Sequence, residues 1–378
     1  MKKISSRTRS RDVARSLVHR SGNLRSHTTQ QVGRSESGFV ARSTGPNWFG
    51  RQLGFGLDLD KSDGGAITIN LPESMNFSSD YEMTVLYLMA IRRLAIKKPH
   101  KKQAHLAMVN FSGLMRISTS AALVLTAELS KWEDSIRQKL RPEINNWQFD
   151  ILYKFYELGF FELFRNNPFE GTEAESSGSV QLVRYIKGRT GDTAMTRQLK
   201  AAIGKVVGDG IDKWVFLNTG LSEAITNVTH HAYNYEWFRS KDKTWYLTGS
   251  YNSESKELKI VFYDQGIGIP KSLPASDIWE RALKYLSSFP SIERRRDATM
   301  LKAAVELSRT STGEDDRGKG LQDLLEFVRQ RNEGYLSILS LKGLYKFSIE
   351  GGRERVKSVH FSNPLYGTLI IWRTVLDA

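Results

Sequence analysis

The chain contains no cysteine, which excludes disulfide bridges, zinc–thiolate sites and thiol catalysis. A reducing cytosol is compatible with that, and a cytoplasmic location is the expectation. No apolar run approaches the roughly 18 to 20 residues that would span a bilayer, so no transmembrane segment is expected. Nor does the N-terminus carry the apolar h-region of a secretory signal. Acids and aromatics are scarce at that end as well. Between Met1 and Gly45 only Asp12 and Glu36 oppose ten Lys and Arg, and no aromatic precedes Phe39.

That arm holds a surplus of eight positive charges, more than half of the net +14. Rich in Ser, Thr and Gly, it should be disordered or weakly helical when free. It reads as a solvated tail, as a docking arm for nucleic-acid phosphates or anionic lipid, or as an Arg- and Ser-rich transit peptide. A basic excess of this size favours an acidic partner. The chain as a whole is ordinary for a soluble globular protein, with 40% apolar and 25% charged residues. Its 378 residues suggest two or three domains.

Leu221-Ser-Glu-Ala-Ile-Thr-Asn-Val-Thr-His-His-Ala-Tyr233 reads as a helix in which Glu223, Asn227 and His231 recur every four residues. That spacing sets a carboxylate, an amide and an imidazole in one row. Leu217, Leu221, Ala224, Ile225 and Val228 form an apolar stripe beside it. The row is either a wet polar face or a place to hold a metal ion and a water over a ligand. Downstream, Lys256 to Tyr263 is a strand running into Asp264-Gln-Gly-Ile-Gly268. Asp315-Asp-Arg-Gly-Lys-Gly-Leu321 is a glycine-rich turn opening a helix, and Gly367-Thr368 begins an apolar strand.

These four stretches, in this order, resemble the ATP-binding domain of the GHKL superfamily (gyrase, Hsp90, histidine kinases, MutL). Ser222-Glu-Ala-Ile-Thr-Asn227 followed by His231-Ala-Tyr looks most like the anti-sigma-factor type of serine/threonine kinase. The resemblance runs from about Val180 to Val375. It implies an α/β sandwich, a mixed and mostly antiparallel sheet under one layer of helices, with an ATP lid over about 271–317.

Further expectations in this half are a strand near Val180 to Ile186 and a helix from about Thr193 to Val207. A hairpin should turn at Asn252-Ser-Glu-Ser255. Two helices are expected around Asp277 to Ser287 and Asp297 to Ser308, then three or four antiparallel strands in the last 45 residues. Arg294-Arg-Arg296 is either solvated charge or, in the lid, a contact for phosphates or a partner.

Upstream, Ala66 to Leu71 alternates as a strand, Asp80 to Ala95 has helical spacing, and His105 to Phe111 reads as a buried strand. Ser118-Thr-Ser120 should cap a helix running through Trp132, and Phe149 to Phe164 is a further helix. Asn110-Phe-Ser-Gly113, Ile117-Ser-Thr-Ser-Ala121 and Leu152 to Phe164 resemble the STAS fold of anti-anti-sigma factors. Ser118-Thr119-Ser120-Ala121 stands where that family usually has Asp-Ser-Ser-Gly, so the acid and the glycine are missing. The strand usually preceding the late helix is hard to see in Arg141 to Asn146. Thr119 is either a phosphoacceptor or one of a capping cluster. The expected layout is a basic arm and lead-in over 1–63, a STAS-like α/β domain over 64–166, a linker over 167–179 and a GHKL-type domain over 180–378.

Mg-ATP needs hard oxygen donors for the metal, which keeps several waters. Asn227 offers a neutral carbonyl oxygen and is the candidate metal ligand. Glu223, one turn earlier, can take a proton from the water or hydroxyl attacking the γ-phosphate, or orient it. Histidine kinases commonly have Asn at this point, and none of the seven histidines sits in a phosphoacceptor box; both observations weigh against phosphohistidine chemistry.

The resemblance implies that Asp264 accepts from the adenine amino group, supported by Thr368. Gly266 and Gly268 would let backbone approach the nucleotide. Gly318 and Gly320 would open a helix whose free amides suit phosphate, with Lys319 adding charge and Leu321 following. Arg317 could touch phosphate or lid, and for His231 a structural role on the helix is expected in preference to a catalytic one. The expected function is an ATPase or serine/threonine kinase acting as a partner switch, with a protein partner. The alternatives are a homodimeric ATP-hydrolysing clamp serving nucleic acid or a defence complex, and an ATP sensor without turnover.

Overall fold

The computed structural model describes residues 52–376, apart from 54, 63, 96–104, 132–142, 166, 168, 170–178, 193–194, 208–210, 212, 234–242 and 309–319. The basic arm 1–45, most of the expected linker, Arg317, Gly318 and Lys319 lie outside the described residues.

In the first unit, strand β1 (Leu59–Lys61) pairs antiparallel with β2 (Ala66–Asn70), so part of the expected lead-in is an edge strand. A two-residue strand β3 (Ser74–Met75) and helix α1 (Tyr81–Ala95) follow. β4 (His105–Asn110) then lies parallel to β2, and β5 (Arg116–Ile117) parallel to β3. Ser118 caps helix α2 (Thr119–Ser130) as expected, its hydroxyl accepting from the Ala121 N–H at 3.2 Å. All twelve residues of α2 are buried, as befits a helix that is apolar all round.

The long helix expected through Phe164 stops earlier. Helix α3 (Phe149–Leu158) ends at Gly159 in the left-handed conformation, and Phe160–Leu163 form a 3-10 turn. This break carries Phe160 back against Phe155, 4.7 Å between ring centroids, and against Phe111, which stacks on Trp147 at 4.0 Å.

The second unit is built on a six-stranded sheet in which every pairing is antiparallel. The single strand expected near Val180 is two, β6 (Val180–Leu182) and β7 (Ile186–Arg189), both paired with β8 (Thr244–Asn252). Between them the chain leaves the ladder and the Tyr185 N–H donates to the Leu158 carbonyl at the end of α3. β9 (Glu257–Asp264) follows the expected hairpin turn, in which Asn252 Oδ1 accepts from the Glu254 and Ser255 amides.

The C-terminal stretch is not three or four strands but two long ones, β10 (Gly334–Glu350) and β11 (Arg353–Val375). Register shifts around Leu341 bend this hairpin while its pairing continues on either side, the behaviour of a β-bulge. β11 inserts between β10 and β9.

Side chains alternate across strands, and both faces of this sheet are covered. On one face Trp245, Leu247, Phe262, Ile370 and Trp372 pack with helices α4 (Met195–Val207), α5 (Trp214–Asn227), α6 (Trp279–Ser287), α7 (Asp297–Leu307) and α8 (Asp323–Arg331). On the other, Tyr246, Val261, Tyr263, Leu369 and Ile371 share one core with α1, α2 and α3 of the first unit. The protein is thus mixed α/β, with its main antiparallel sheet between five helices and the first unit. No described helix is long and apolar enough to cross a membrane.

Candidate functional site

The apolar stripe of α5 faces the core as its spacing implies: Leu217, Leu221, Ala224, Ile225 and Val228 are buried. Glu223 and Asn227 are half-buried beside it. Asn227 Nδ2 donates to Glu223 Oε1 at 2.6 Å and to the Glu223 carbonyl at 3.0 Å. After Asn227 the helix widens into a π turn, Val228–Ala232, of the kind that often marks functional positions. The turn leaves the Ala232 carbonyl to accept from the Ile267 N–H at 3.0 Å. A Cβ on Gly266 would lie 2.5 Å from Ala232. The close approach that Gly266 permits is therefore to the end of this helix.

At the end of β9, Asp264 is buried, and its Oδ1 accepts from the Gly266 N–H at 2.8 Å. Burial pushes its carboxyl up to about 7, against the opposing pull of the Gly266 bond, the Lys131 charge and Thr368. Thr368 is its register partner on β11. The residue before it, Gly367, has φ +83°, and a Cβ there would collide with the Asp264 carbonyl oxygen. Ser340 on β10, fully buried, ties these pieces together. Its hydroxyl accepts from the Ile269 N–H at 2.9 Å, donates to the Gly367 carbonyl at 3.0 Å and lies 3.1 Å from Thr368 Oγ1. Sequence reasoning did not single it out; the available signal was a small hydroxyl inside the apolar run Leu336 to Leu341.

These groups surround a cavity of about 590 Å³, a size suited to a small-molecule ligand. It is lined by Glu223, Asn227 and His231, by Asp264, Gly268 and Ile269, and by Leu321, Thr368 and Ile370. Asp277 and Arg281, in the segment between β9 and α8, complete one wall. Six of the sequence-derived candidates, Glu223, Asn227, Asp264, Gly268, Leu321 and Thr368, therefore meet at one place. Gly266 is not among the lining residues, and Gly320 opens a 3-10 turn that leads into α8. Arg294, Arg295 and Arg296 are exposed and do not line the cavity.

Burial raises the Glu223 carboxyl above the ordinary range, opposed by the bond from Asn227 and reinforced by Asp323. The same cause lowers His231, with the neighbouring His230 adding to it and Asp277 opposing. The cavity thus pairs a proton-accepting carboxyl–amide couple on α5 with a second, deeply buried carboxyl on β9. Thr119 takes no part. It is buried, its hydroxyl donates to Ser250 Oγ at 3.2 Å, and that contact belongs to the face of the sheet covered by the first unit. A phosphoacceptor would have to be uncovered there first, so the structure supports a packing role for Thr119, the cap itself being made by Ser118.

No model of a known protein family and no curated protein matches this chain.

Proposed function

We propose that the cavity binds Mg-ATP and that the protein transfers the γ-phosphate, either to water or to a serine or threonine of a partner. One observation carries this reading. Six residues from four separated stretches, chosen from sequence for nucleotide chemistry, line the same 590 Å³ cavity.

In this reading Asp264 receives the adenine amino group. Its Oδ1 is engaged by Gly266, so Oδ2 is the oxygen offered to the amino group, with Thr368 also bonding to the carboxyl. Asn227 makes its bonds through the amide nitrogen, so its carbonyl oxygen is what it offers a cation. Among the described residues no three His, Asp or Glu form a metal cage. Magnesium would then take most of its ligands from phosphate and water, as it commonly does with nucleotides. When bound, it neutralises charge on the phosphates.

Glu223 is the base. Its raised proton affinity suits it to accept the proton as an oxygen nucleophile bonds to the γ-phosphorus and the bond to the departing ADP oxygen breaks. The GHKL resemblance of the same stretches supports this assignment. The STAS resemblance of the first unit supports a regulatory role for it, with a protein partner. Burial of Thr119 favours an acceptor other than that residue.

Purified full-length protein with magnesium and γ-labelled ATP tests the reading, following protein-bound label and free phosphate together. One of the two products should form and be lost with Glu223→Ala. Turnover that survives Glu223→Ala would overturn the assignment of the base.

A further inference from the structure

The Asp264 loop is held from both sides of the sheet, and the hold from the far side comes from another unit of the molecule. Asp264 faces the cavity, whereas the next side chain, Gln265, passes to the opposite face. There Gln265 Nε2 donates to Glu128 Oε1 of helix α2 at 2.9 Å. Tyr263, the residue before Asp264, also reaches Glu128 Oε1, at 3.1 Å, and its hydroxyl lies 2.9 Å from the carbonyl of Tyr366. Arg92 of α1 completes the cluster, with Nη1 3.3 Å from the same carboxylate oxygen and its guanidinium 4.5 Å from the centre of the Tyr366 ring.

Glu128 and Gln265 are 5% and 1% exposed, so neither has solvent as an alternative partner. Gln265 Oε1 is buried without a hydrogen-bond partner, so the amide's hold on its surroundings is made by its nitrogen, through Glu128. Glu128 is the only charged residue in the uniformly buried α2. A buried charge is costly unless its pairing is complete.

We propose that Glu128 is a positioning residue for the nucleotide site. One carboxylate in the first unit holds both chain neighbours of Asp264, Tyr263 and Gln265, and Tyr263 in turn meets Tyr366, two residues before Thr368, so that adenine recognition depends on docking of α2 against the sheet. The proposal rests on the nucleotide reading of the cavity. Its physical content is that Asp264 can present a carboxyl oxygen to the cavity only while the backbone at 263–266 keeps its path. On the far side that path is fixed by the bonds to Glu128, and on the near side by Gln265 N–H to the Tyr233 hydroxyl at 3.1 Å. At metal sites, removal of the outer partner of a ligating group typically weakens binding about 10- to 100-fold, and an effect at the low end of that range is expected here by analogy.

The test compares full-length wild type with Glu128→Gln, which keeps the shape and removes the charge, and with Gln265→Met, which removes the amide donor. Thr119→Val is the control, a change at the same α2–sheet contact but away from the loop. Hydrogen exchange of the 265–267 amides without nucleotide reads positioning alone. Affinities for ATP and for inosine triphosphate, which lacks the adenine amino group, read its consequence.

Both test variants should exchange faster at 265–267 and bind ATP roughly tenfold more weakly, with a smaller preference for ATP over the inosine nucleotide. Thr119→Val should leave both readouts unchanged. Wild-type exchange and an unaltered nucleotide preference in Glu128→Gln and Gln265→Met would overturn the proposal. An equal change in Thr119→Val would overturn it too, by reducing Glu128 to general interface packing. If wild type binds neither nucleotide, the nucleotide reading has failed and this inference falls with it, a result distinct from one in which wild type binds and the variants bind equally well.

Discussion

The two faces of the central sheet solve different problems with neighbouring residues. Leu369 and Ile370 are adjacent on β11, yet Leu369 packs into the core shared with the first unit, whereas Ile370 borders the cavity. On the first-unit side, aromatic and aliphatic side chains fill the space, and several polar groups pair across the contact, although Gln265 Oε1 is left without a partner. Ser130 and the Tyr246 hydroxyl are 2.6 Å apart, and Glu128 accepts from Arg92, Tyr263 and Gln265. On the helix side the same strands border open volume, around which burial has raised the proton affinity of two carboxyls, Asp264 on β9 and Glu223 on α5. One face is optimised for cohesion, and the other keeps unspent polar capacity. That is the trade expected where binding sites store unfavourable burial that packing elsewhere offsets.

Truncation of each neighbour tests the contrast most strongly. Leu369→Ala should cost about 2–5 kcal/mol in a denaturant titration, because it opens a void in a filled core. Ile370→Ala should fall at or below the low end of that range, since it enlarges space that already exists. Equal losses would erase the distinction between the faces.

Gly266→Ala comes next. Its Cβ would meet Ala232 at 2.5 Å, and forcing the π turn away should cost about 1–3 kcal/mol and weaken any ligand of the cavity. Retention of wild-type stability would show that the turn yields freely.

Asp264 supplies a pH test. Its folded value of about 7 lies above the ordinary 3.8, so the folded state holds the proton more tightly. The stabilisation this linkage provides is complete below about pH 4 and is lost as pH rises through 7. Asp264→Asn should therefore melt higher than wild type at pH 8 and gain progressively less toward pH 5, as read by thermal unfolding across that range. A difference independent of pH would rule out titration of Asp264 as the source.

The smallest effect is expected from Thr119→Val, about 1 kcal/mol for one neutral hydrogen bond, measured by thermal melt, with ATP turnover unaffected. A turnover defect there would reopen a role for Thr119 in the chemistry.

Local features were legible where chemistry is local. The Ser118 cap, the apolar stripe of α5 and the turn at Asn252 followed from residue type and spacing, whereas the meeting of Asp264 with Thr368 was an expectation carried by the GHKL resemblance. Features set by partners distant in sequence were not. Nothing in Val228 to Ala232 announces a π turn, and the contacts that accompany it, of Ala232 with Gly266 and Ile267, are with residues more than thirty positions away. The break at Gly159 was hidden by continued aromatic periodicity on either side of a single glycine. The C-terminal stretch looked like several strands because register shifts and a proline interrupt its pattern, although the same two strands pair again on either side of the break.

Coverage of the second sheet face was likewise invisible, although Glu128, one acid in an otherwise uncharged helix, was a usable clue. Ser340 had no motif to mark it. Its importance comes from standing between Ile269, Gly367 and Thr368, which only the folded chain brings together.

The most direct measurement is calorimetric titration of full-length wild type and Asp264→Asn with Mg-ATP at pH 8. A carboxylate has two oxygens, one for the Gly266 N–H and one for the adenine amino group, whereas an amide has one. The account therefore predicts saturable binding by wild type and a loss of roughly tenfold or more in the variant, despite its higher melting temperature. No binding by wild type, or equal affinity in the two proteins, would contradict it.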